Sequence, residues 1–399
     1  MSAAADWSRP AEAPAALRDH RVLMFLSDLG GGGAQRTMLN LAATMPTHGL
    51  TVDLVVGTAQ GPAQLWIGPG LTPQHLGARG LAASLPALAR RIRAQAPDAV
   101  LSTMVDANVA AYWATRWASS GSAIVLRETN SHRARGDLGT MRRTLARHAY
   151  RQADLVIALS EGVRLELIED MALAPDRVLT IPNPVAVADI ARRAETARAG
   201  PPPWSHPSRT PVIVTVARLH RQKGLDVLLD ALAGQGCPAQ LYVLGEGPER
   251  AAMTAQAARL GLSDRVHMPG FIDDVVPYLA HADLFVLASR WEGFGHVIVE
   301  AMAAGAPVVA TDCPHGPADI IRSGQTGWLV PPNDLASLGH AIARLLDDRA
   351  LARQIAAAGF AAARRYEAAR VAGEYAGAIR QAIAWRRAAL SAVQVRPAS

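Results

Sequence analysis

Residues 289–316 read SRWEGFGHVIVEAMAAGAPVVATDCPHG, and this stretch decides the fold of the chain. It follows an apolar run, residues 283–288, that predicts a buried strand. Two glycines then form a short loop, and the apolar spacing beyond them predicts a helix that carries Glu300. A helix that starts directly after a strand and a glycine loop favours the binding of an anion at its N-terminus. Only a ligand bound across this helix start could contact both Glu292 and Glu300.

The same alternation of strand and helix patterns extends over most of the chain. Strands are predicted at residues 21–27, 51–57, 99–104, 123–127, 154–158, 178–181, 211–216, 240–244, 266–268, 284–288 and 307–310. Helical patterns lie between them, and this order is typical of parallel sheets with helices on both faces. Because 399 residues exceed the usual size of a single core, the predicted fold class is α/β, with two Rossmann-like domains facing across a cleft.

The domain boundary is predicted at residues 189–210, which are rich in Arg and Ala and then contain PPPWSHP. This composition disfavours a helix and indicates an extended linker. Residues 20–188 would then form the first domain and residues 211–370 the second. Residues 371–399 would form a C-terminal helix and tail that packs beside the second domain or crosses back to the first. Residues 1–19 lack a continuous apolar core, so we expect a disordered leader and no secretory signal.

Composition limits the classes of protein to which the chain can belong. Two cysteines are too few for a disulfide scaffold, and no Cys/His grouping has the spacing of a structural zinc site. No apolar run approaches the roughly 18 residues that a membrane-spanning helix needs. We therefore expect a cytoplasmic protein whose membrane contact, if it has one, is peripheral at the inner face of the plasma membrane.

The chain is basic, with a formal charge of +6 and a pI of about 9.9. Nucleic acid, an anionic membrane surface and a phosphorylated substrate all fit this sign of charge. A codon bias that replaces surface lysines with arginines fits it equally well. The chain has no basic stripe with interleaved aromatic residues, so the sequence gives little support to nucleic acid as a partner.

A glycine run, Gly30–Gly33, follows the first predicted strand and precedes a helix. This order is that of the start of a doubly wound α/β unit. The residue three positions after Gly32 is Gln35, which does not match the dinucleotide fingerprint, so the sequence does not predict an NAD site. The alternative interpretation is that the glycine run only makes a tight turn between strand and helix and contacts no ligand.

Two loops that follow predicted strands of the second domain contain residues suited to anion binding. Arg218 and Lys223 occur in the segment ARLHRQKG, where the planar fork of arginine and the point charge of lysine suit a diphosphate. The Glu292 loop leads into a helix N-terminus, whose free N–H groups favour negative charge. Glu300, further along that helix, could hydrogen-bond the vicinal hydroxyls of a ribose. Solvated side chains around a capped helix are the alternative interpretation.

The segment EGFGHVIVEAMAAGAPVV at residues 292–309 resembles the motif of retaining glycosyltransferases of the GT-B fold, the large family 4. The resemblance covers most of the chain. It includes, in order, GGGGAQR at 30–36, SEGV at 160–163, IPNPV at 181–185, ARL at 217–219, KG at 223–224, LGEGPER at 244–250, PGF at 269–271 and GQTGWLVP at 324–331. Each motif alone is weak, but their common order is specific.

The resemblance implies a nucleotide-sugar donor held by the second domain. Arg218 and Lys223 would neutralise the diphosphate, and Glu292 would contact the sugar ring, so these three are the implied catalytic residues. Glu300 would hold the ribose hydroxyls. The other implied binding residues are Gly293, Phe294, Gly295, His296 and Val297 at the sugar and phosphate, Gly270 and Phe271 near the base, and Gly31 and Gly32 across the cleft. The implied arrangement requires no metal and no other cofactor.

The first domain would hold the acceptor. Many relatives carry a His-containing motif near its fourth or fifth strand, where this chain reads LRETNSH at residues 126–132. The candidates for acceptor contact or proton handling are Arg127, Glu128, Asn130 and His132. Arginines also cluster in this domain, at positions 90, 91, 93, 142, 143, 147 and 151. Such basic helix faces predict docking on an anionic membrane near a lipid-linked saccharide, or are simply solvated.

The predicted function is transfer of a hexose-type sugar, with retention of configuration, to a glycan or lipid-linked saccharide in surface polysaccharide or lipopolysaccharide assembly. The segment TDCPHGP at 311–317 resembles that of family members in bacterial polysaccharide assembly, and this resemblance favours a UDP-sugar, while a GDP-sugar stays open. A diphosphate oxygen that takes the acceptor's proton on the same face would give retention, and Glu292 as a covalent nucleophile is the competing mechanism. The alternative functions are a two-domain nucleotide-sugar epimerase and a non-enzymatic module that binds glycan or nucleic acid.

Overall fold

The structure is a computed structural model of the chain. It describes residues 20–30, 33–58, 61, 64, 67, 71–77, 81–129, 133, 139–205, 210–234 and 238–394. These residues form two parallel sheets with helices packed against them, which confirms the predicted α/β fold class. The predicted leader at residues 1–19 lies outside the described residues.

The first domain is built on a seven-stranded sheet in the order β3-β2-β1-β4-β5-β6-β7. Its strands are β1 His20–Leu26, β2 Leu50–Val56, β3 Gln74–His75, β4 Ala99–Thr103, β5 Ala123–Glu128, β6 Leu155–Ala158 and β7 Val178–Thr180. Its helices are α1 Gly33–Thr44, α2 Leu81–Gln95, α3 Val105–Ala118, α4 Thr140–Gln152 and α5 Glu161–Met171. The strand order changes direction between β1 and β4, where the carboxyl ends of the strands open a crevice.

The first half of the predicted linker is a helix, α6 Val187–Arg198. Val187, Ile190 and Ala194 recur at helical spacing and are buried against the core of the second domain. The prediction of an extended linker over residues 189–210 was wrong here because burial of this apolar face against the second domain stabilises a helix. The helix ends before Pro201, and residues 199–205 are irregular, as the proline run predicts.

The second domain repeats the architecture with a six-stranded sheet in the order β10-β9-β8-β11-β12-β13. Its strands are β8 Val212–Val216, β9 Gln240–Leu244, β10 Val266–Gly270, β11 Leu284–Leu287, β12 Val308–Thr311 and β13 Trp328–Val330. Its helices are α7 Leu225–Gly234, α8 Arg250–Arg259, α9 Val276–His281, α10 His296–Ala303, α11 Pro317–Ile320, α12 Leu335–Asp347 and α13 Arg349–Ala363. Here the strand order changes direction between β8 and β11.

The last helix, α14 Ala368–Gln394, crosses back to the first domain. Val371, Tyr375 and Ile379 recur every four residues and are fully buried in the core beneath the first sheet. The chain passes between the domains twice, near Val185 and near Tyr366. These two crossings lie side by side, and the Val185 N–H donates to the Tyr366 carbonyl over 2.8 Å. The packing of α14 therefore decides between the two positions that the sequence left open.

Candidate active site

A cavity of about 650 Å³ lies between the carboxyl ends of the two sheets. The predicted site residues that line it are Arg127, Arg218, Lys223, Phe271, Glu292, Gly293, Phe294, Gly295, His296 and Val297. Those outside its lining are Glu128, Gly270 and Glu300. Gly31, Gly32, Asn130 and His132 lie outside the described residues. The structure thus brings most of the predicted donor-side residues to one cleft.

The pairing of β8 with β11 brings the two anion-binding loops together. Arg218 and Lys223 follow β8, and Glu292 follows β11, so both loops leave the same edge of the sheet. The loops are also bonded to each other. The Gln222 side chain donates to the Trp291 carbonyl over 2.9 Å, and the Arg290 N–H donates to the Gln222 carbonyl over 2.7 Å.

Lys223 and Glu292 form the central ion pair of the site, with Nζ 2.5 Å from Oε1. Glu292 is buried, and the Ser289 hydroxyl donates to the same oxygen over 2.6 Å. The hydroxyl of Thr311, on the neighbouring strand, in turn donates to the Ser289 carbonyl over 2.5 Å. Glu292 is therefore held on one oxygen by a cation and a hydroxyl, and Oε2 is the oxygen left for a ligand.

Lys223 is the last residue of a short 3₁₀ turn, and the next position, residue 224, requires a glycine. Gly224 has a φ of +58°, and a Cβ added there would lie 2.0 Å from the Ala288 carbonyl oxygen at the end of β11. The close approach of this turn to β11 places the Lys223 ammonium beside Glu292. The Lys-Gly pair is thus a steric requirement of the site as well as a sequence motif.

Two arginines near the cavity differ in what they contact. Arg290 is bonded to both carboxylate oxygens of Asp226, over 2.8 and 2.7 Å, and its hydrogen bonding lowers the pKa of Asp226. Arg218 is exposed, lines the cavity and has no hydrogen bond or ion pair within the described part of the chain. Arg218 is therefore the arginine that is available to an anionic ligand.

Helix α10 presents its N-terminus to the cavity. Gly295 occupies the N-cap position with a φ of +89°, and no side chain caps the helix. Because an uncapped helix start leaves N–H groups without intrahelical acceptors, it favours a ligand with negative charge. Gly293 to Val297 line the cavity at this point, as the sequence predicted.

Glu300 lies one turn into α10 and interacts with both domains. Its Oε1 is 3.7 Å from His296 Nε2 and 3.5 Å from the guanidinium of Arg36, which projects from α1 of the first domain. Burial lowers the pKa of His296, and the Nδ1 atom of its ring has no hydrogen-bond partner among the described residues. Glu300 is itself buried, so its implied contact with a ribose stays a prediction.

The end of β10 shapes a third part of the cavity. Gly270 has a φ of +95°, which explains the glycine, and its carbonyl accepts the Gly245 N–H over 2.8 Å. The next residue, Phe271, is 66% exposed and lines the cavity. An exposed aromatic ring at this edge is available to stack against a flat ligand group.

The two described acceptor candidates point away from each other at the end of β5. Arg127 is fully buried, lines the cavity and bonds Tyr375, Thr103 and Asn183. Glu128 is bonded to the Tyr150 hydroxyl over 2.5 Å and to the Thr129 N–H over 2.9 Å, on the other face of the sheet. The structure thus places Arg127 in the cleft wall and Glu128 away from it.

Sequence reasoning missed several residues of the site: Ser289, Gln222, Arg36, Asn183 and Tyr375. Arg36 and Asn183 stand in motifs that the resemblance included, GGGGAQR and IPNPV, and Gln222 lies directly before the KG motif. Tyr375 carried no sequence signal, because its contact with Arg127 spans 248 positions. Within the described residues, no group of three or more His, Cys, Asp or Glu is arranged to hold a metal ion. None of the helices described there is long and apolar enough to cross a membrane.

Two family models match the chain, one in each domain. The model described as Glycosyltransferase Family 4 matches residues 31–189, and the model described as Glycosyl transferases group 1 matches residues 199–361. The chain therefore belongs to these glycosyltransferase families, and its two facing domains have the GT-B fold.

Curated relatives and solved structures agree with this assignment. The chain is 36% identical to the lipopolysaccharide core biosynthesis glycosyltransferase LpsE of Rhizobium meliloti over 38% of this chain and 44% of that one. It is 35% identical to the phosphatidyl-myo-inositol mannosyltransferase of Mycobacterium leprae over 53% and 54% of the two chains. The chain thus spans about half the length of these relatives. The crystal structure of Anabaena HepE with UDP and glucose has a TM-score of 0.73 at 23% identity, covering 90% of this chain and 98% of that one, and shows the shared fold.

Proposed function

We propose that this protein is a retaining glycosyltransferase that moves a sugar from a nucleoside diphosphate, with a UDP-sugar favoured, to a glycan or lipid-linked saccharide in surface polysaccharide assembly. The observation that carries the proposal is the Lys223–Glu292 pair, which lies with the exposed Arg218 beside an uncapped helix start in one interdomain cavity. This combination supplies two cations for a diphosphate and one carboxylate for a sugar.

The donor would bind mainly to the second domain. Arg218 and Lys223 would contact the diphosphate, the N–H groups at the start of α10 would face its oxygens, and Phe271 would lie beside the base. Positive groups fixed in advance stabilise the charge that develops on a departing diphosphate. Arg218 and Lys223 would take the part that a metal ion plays in other transferases, so we propose a metal-independent reaction.

Retention of configuration would follow from the chemistry on a single face of the sugar. The bond from the anomeric carbon to the diphosphate breaks, the acceptor oxygen bonds to that carbon, and the acceptor's proton passes to a diphosphate oxygen. Glu292 suits a contact with a sugar hydroxyl better than nucleophilic attack, because Oε1 already accepts from Lys223 and Ser289. These two donors reduce the nucleophilicity of the carboxylate.

The acceptor would approach from the first domain, at the cytoplasmic face of a membrane. Relatives named for lipopolysaccharide core biosynthesis and for phosphatidyl-myo-inositol mannosylation support a glycan or lipid-linked acceptor. The structure of HepE with UDP and glucose supports a UDP-sugar, with a GDP-sugar as the alternative. The epimerase and the non-enzymatic binding module receive no support from the family matches.

A screen of UDP- and GDP-sugars for hydrolysis without acceptor tests the proposal. We expect one donor to be hydrolysed slowly in the presence of a metal chelator, and NMR of the first-formed sugar to show the donor's anomeric configuration. An epimerase would change the sugar without releasing the nucleotide, and a binding module would do neither. Release of the opposite anomer would contradict the retaining mechanism.

A further inference from the structure

Arg127 is a buried cation without a counter-ion among the residues that the structure describes. Its guanidinium is fully buried at the carboxyl end of β5 and donates to the Tyr375 hydroxyl over 2.9 Å, the Thr103 hydroxyl over 2.8 Å and the Asn183 side-chain oxygen. All three partners are neutral. Among the described residues, no carboxylate lies within 4.0 Å of it.

This environment is unusual for a buried charge. Removing an ion from water is costly unless an opposite charge or a full set of hydrogen bonds compensates it. Arg290, which is also largely buried, has such compensation from both oxygens of Asp226. The acidic neighbour of Arg127 in sequence, Glu128, bonds Tyr150 on the other face of the sheet and leaves Arg127 uncompensated.

The guanidinium is also incompletely hydrogen-bonded and rigidly held. Arginine has five N–H donors, and the described chain provides acceptors for three of them. Asn183 and Tyr375 belong to the two segments that adjoin the crossings between the domains, so the fork is fixed from both sides. Arg127 lines the interdomain cavity from the first domain, whereas Arg218 and Lys223 line it from the second.

We propose that Arg127 is an anion-binding residue whose counter-ion is an oxyanion of the bound substrate, a carboxylate or a phosphate. This inference rests on the proposed function, in which the second domain holds the donor diphosphate. In that arrangement, the part of the cavity wall that contains Arg127 faces the donor sugar and the acceptor. Two sources supply such an oxyanion: a uronic-acid carboxylate on the donor sugar, or the phosphate of a lipid-linked acceptor.

Binding measurements with matched charged and neutral ligands distinguish these sources. In the donor arm, UDP-glucuronate is compared with UDP-glucose by calorimetry. In the acceptor arm, with UDP present, a sugar on a lipid diphosphate is compared with the same sugar on a neutral alkyl chain. We expect the wild type to prefer the charged ligand by about tenfold or more in one arm, the size typical of a charge-assisted contact.

Three variants assign that preference to Arg127. Arg127→Met removes the charge and should bring the affinity for the charged ligand down to that for the neutral one. Arg127→Lys keeps the charge but not the fork, and should retain part of the preference. If Arg127→Met does not fold, Arg127→Lys alone tests whether Arg127 produces the preference. Arg370→Gln removes an exposed arginine of α14 that pairs with Glu374, and should behave as the wild type.

The outcomes separate this inference from the proposed function. If the wild type binds UDP-sugars but prefers the charged ligand in neither arm, or if Arg127→Lys and the wild type show the same preference, the anion-binding role is overturned. If the wild type binds no nucleotide, the proposed function fails. Titration with inorganic pyrophosphate then tests Arg127 alone: binding that weakens in Arg127→Lys supports its role, and the absence of such binding contradicts it.

Discussion

Arg218 and Arg290 should have different roles: Arg218 is proposed to bind ligand, whereas Arg290 stabilises the fold. Arg218 is without a partner in the described chain, so Arg218→Ala should lower kcat/KM about 100-fold, the effect of losing one charge-stabilising donor, and leave the unfolding temperature unchanged. Arg290→Ala should lower the free energy of unfolding by about 1 kcal/mol, because it breaks a half-exposed ion pair with Asp226. Donor turnover and thermal unfolding of both variants measure the contrast, and unchanged turnover in Arg218→Ala would contradict it.

The loss in Arg290→Ala should depend on pH. Arg290 holds the pKa of Asp226 below its ordinary value of 3.8. A carboxylate with a depressed folded pKa stabilises the protein fully above its unfolded pKa and loses that contribution as the pH falls through the folded value. The stability difference between wild type and variant should therefore be constant from neutral pH to about 4 and shrink below it.

Glu292 and Glu300 should affect different kinetic constants. Glu300 is implied to hold the ribose in both ground state and transition state, so Glu300→Gln should mainly raise the donor KM. Glu292 is implied to contact the reacting sugar, so Glu292→Gln should mainly lower kcat. Steady-state kinetics with a single donor separate the two effects. The opposite pattern would show that their roles are exchanged.

Two glycines provide a matched test of local stereochemistry. Gly224→Ala places a methyl group 2.0 Å from the Ala288 carbonyl oxygen at a positive φ, and should destabilise the protein by more than about 2 kcal/mol. Gly377 lies within α14, and nothing would meet its added Cβ within 4 Å. Gly377→Ala should stabilise the helix by about 0.5 to 1 kcal/mol. Denaturant unfolding measures both, and equal stability of the two variants would contradict the predicted strain at Gly224.

Most elements of the fold could be predicted from apolar periodicity. The exceptions are the short edge strands β3 and β13, of two and three residues, and α6, which was hidden by the neighbouring proline run. The path of α14 could not be predicted, because its apolar stripe fits against either domain. Only the burial of Val371 and Tyr375 beside β1 decides it.

The packing of α14 on the first sheet can be tested by placing a charge in the buried face of this helix. Ala376 is fully buried against the first sheet, so Ala376→Glu forces a charge into the core and should destabilise the first domain by about 3 kcal/mol or more. Ala384, two turns further along, is exposed, and Ala384→Glu should leave stability within about 0.5 kcal/mol of the wild type. Thermal unfolding compares them. Equal stability of the two variants would show that α14 does not pack on this core.

For the molecule as a whole, the sequence predicted the loops of the site better than their mutual contacts. Arg218, Lys223 and Glu292 were found because they follow strands in motifs that resemble a known family. The bond between Lys223 and Glu292 spans 69 positions and depends on the pairing of β8 with β11. The sequence also did not predict that Arg127 is buried without a counter-ion among the described residues, because burial cannot be read from an isolated LRETN segment.

The predicted docking of the first domain on a membrane would use the outer surface of helices α3 and α4. Met141 and Leu145 of α4 are 75% and 40% exposed, Trp117 of α3 is 52% exposed, and α4 also carries the exposed arginines Arg142, Arg143, Arg147 and Arg151. Such an arrangement favours anionic lipid. We expect sedimentation with anionic vesicles but not neutral ones, reduced in Met141→Ser/Leu145→Ser. Equal, negligible sedimentation with both vesicles would contradict docking.

We propose that the cavity between the domains holds a nucleoside diphosphate through Arg218 and Lys223. Calorimetric titration with UDP and GDP tests it most directly, using the wild type, an Arg218→Ala/Lys223→Ala double variant and bulk DNA as a competing polyanion. We expect one nucleotide to bind at one site per chain, the double variant to lose this binding, and DNA to bind weakly. Tight binding of DNA without nucleotide binding, or a double variant that binds the nucleotide as well as the wild type does, would contradict it.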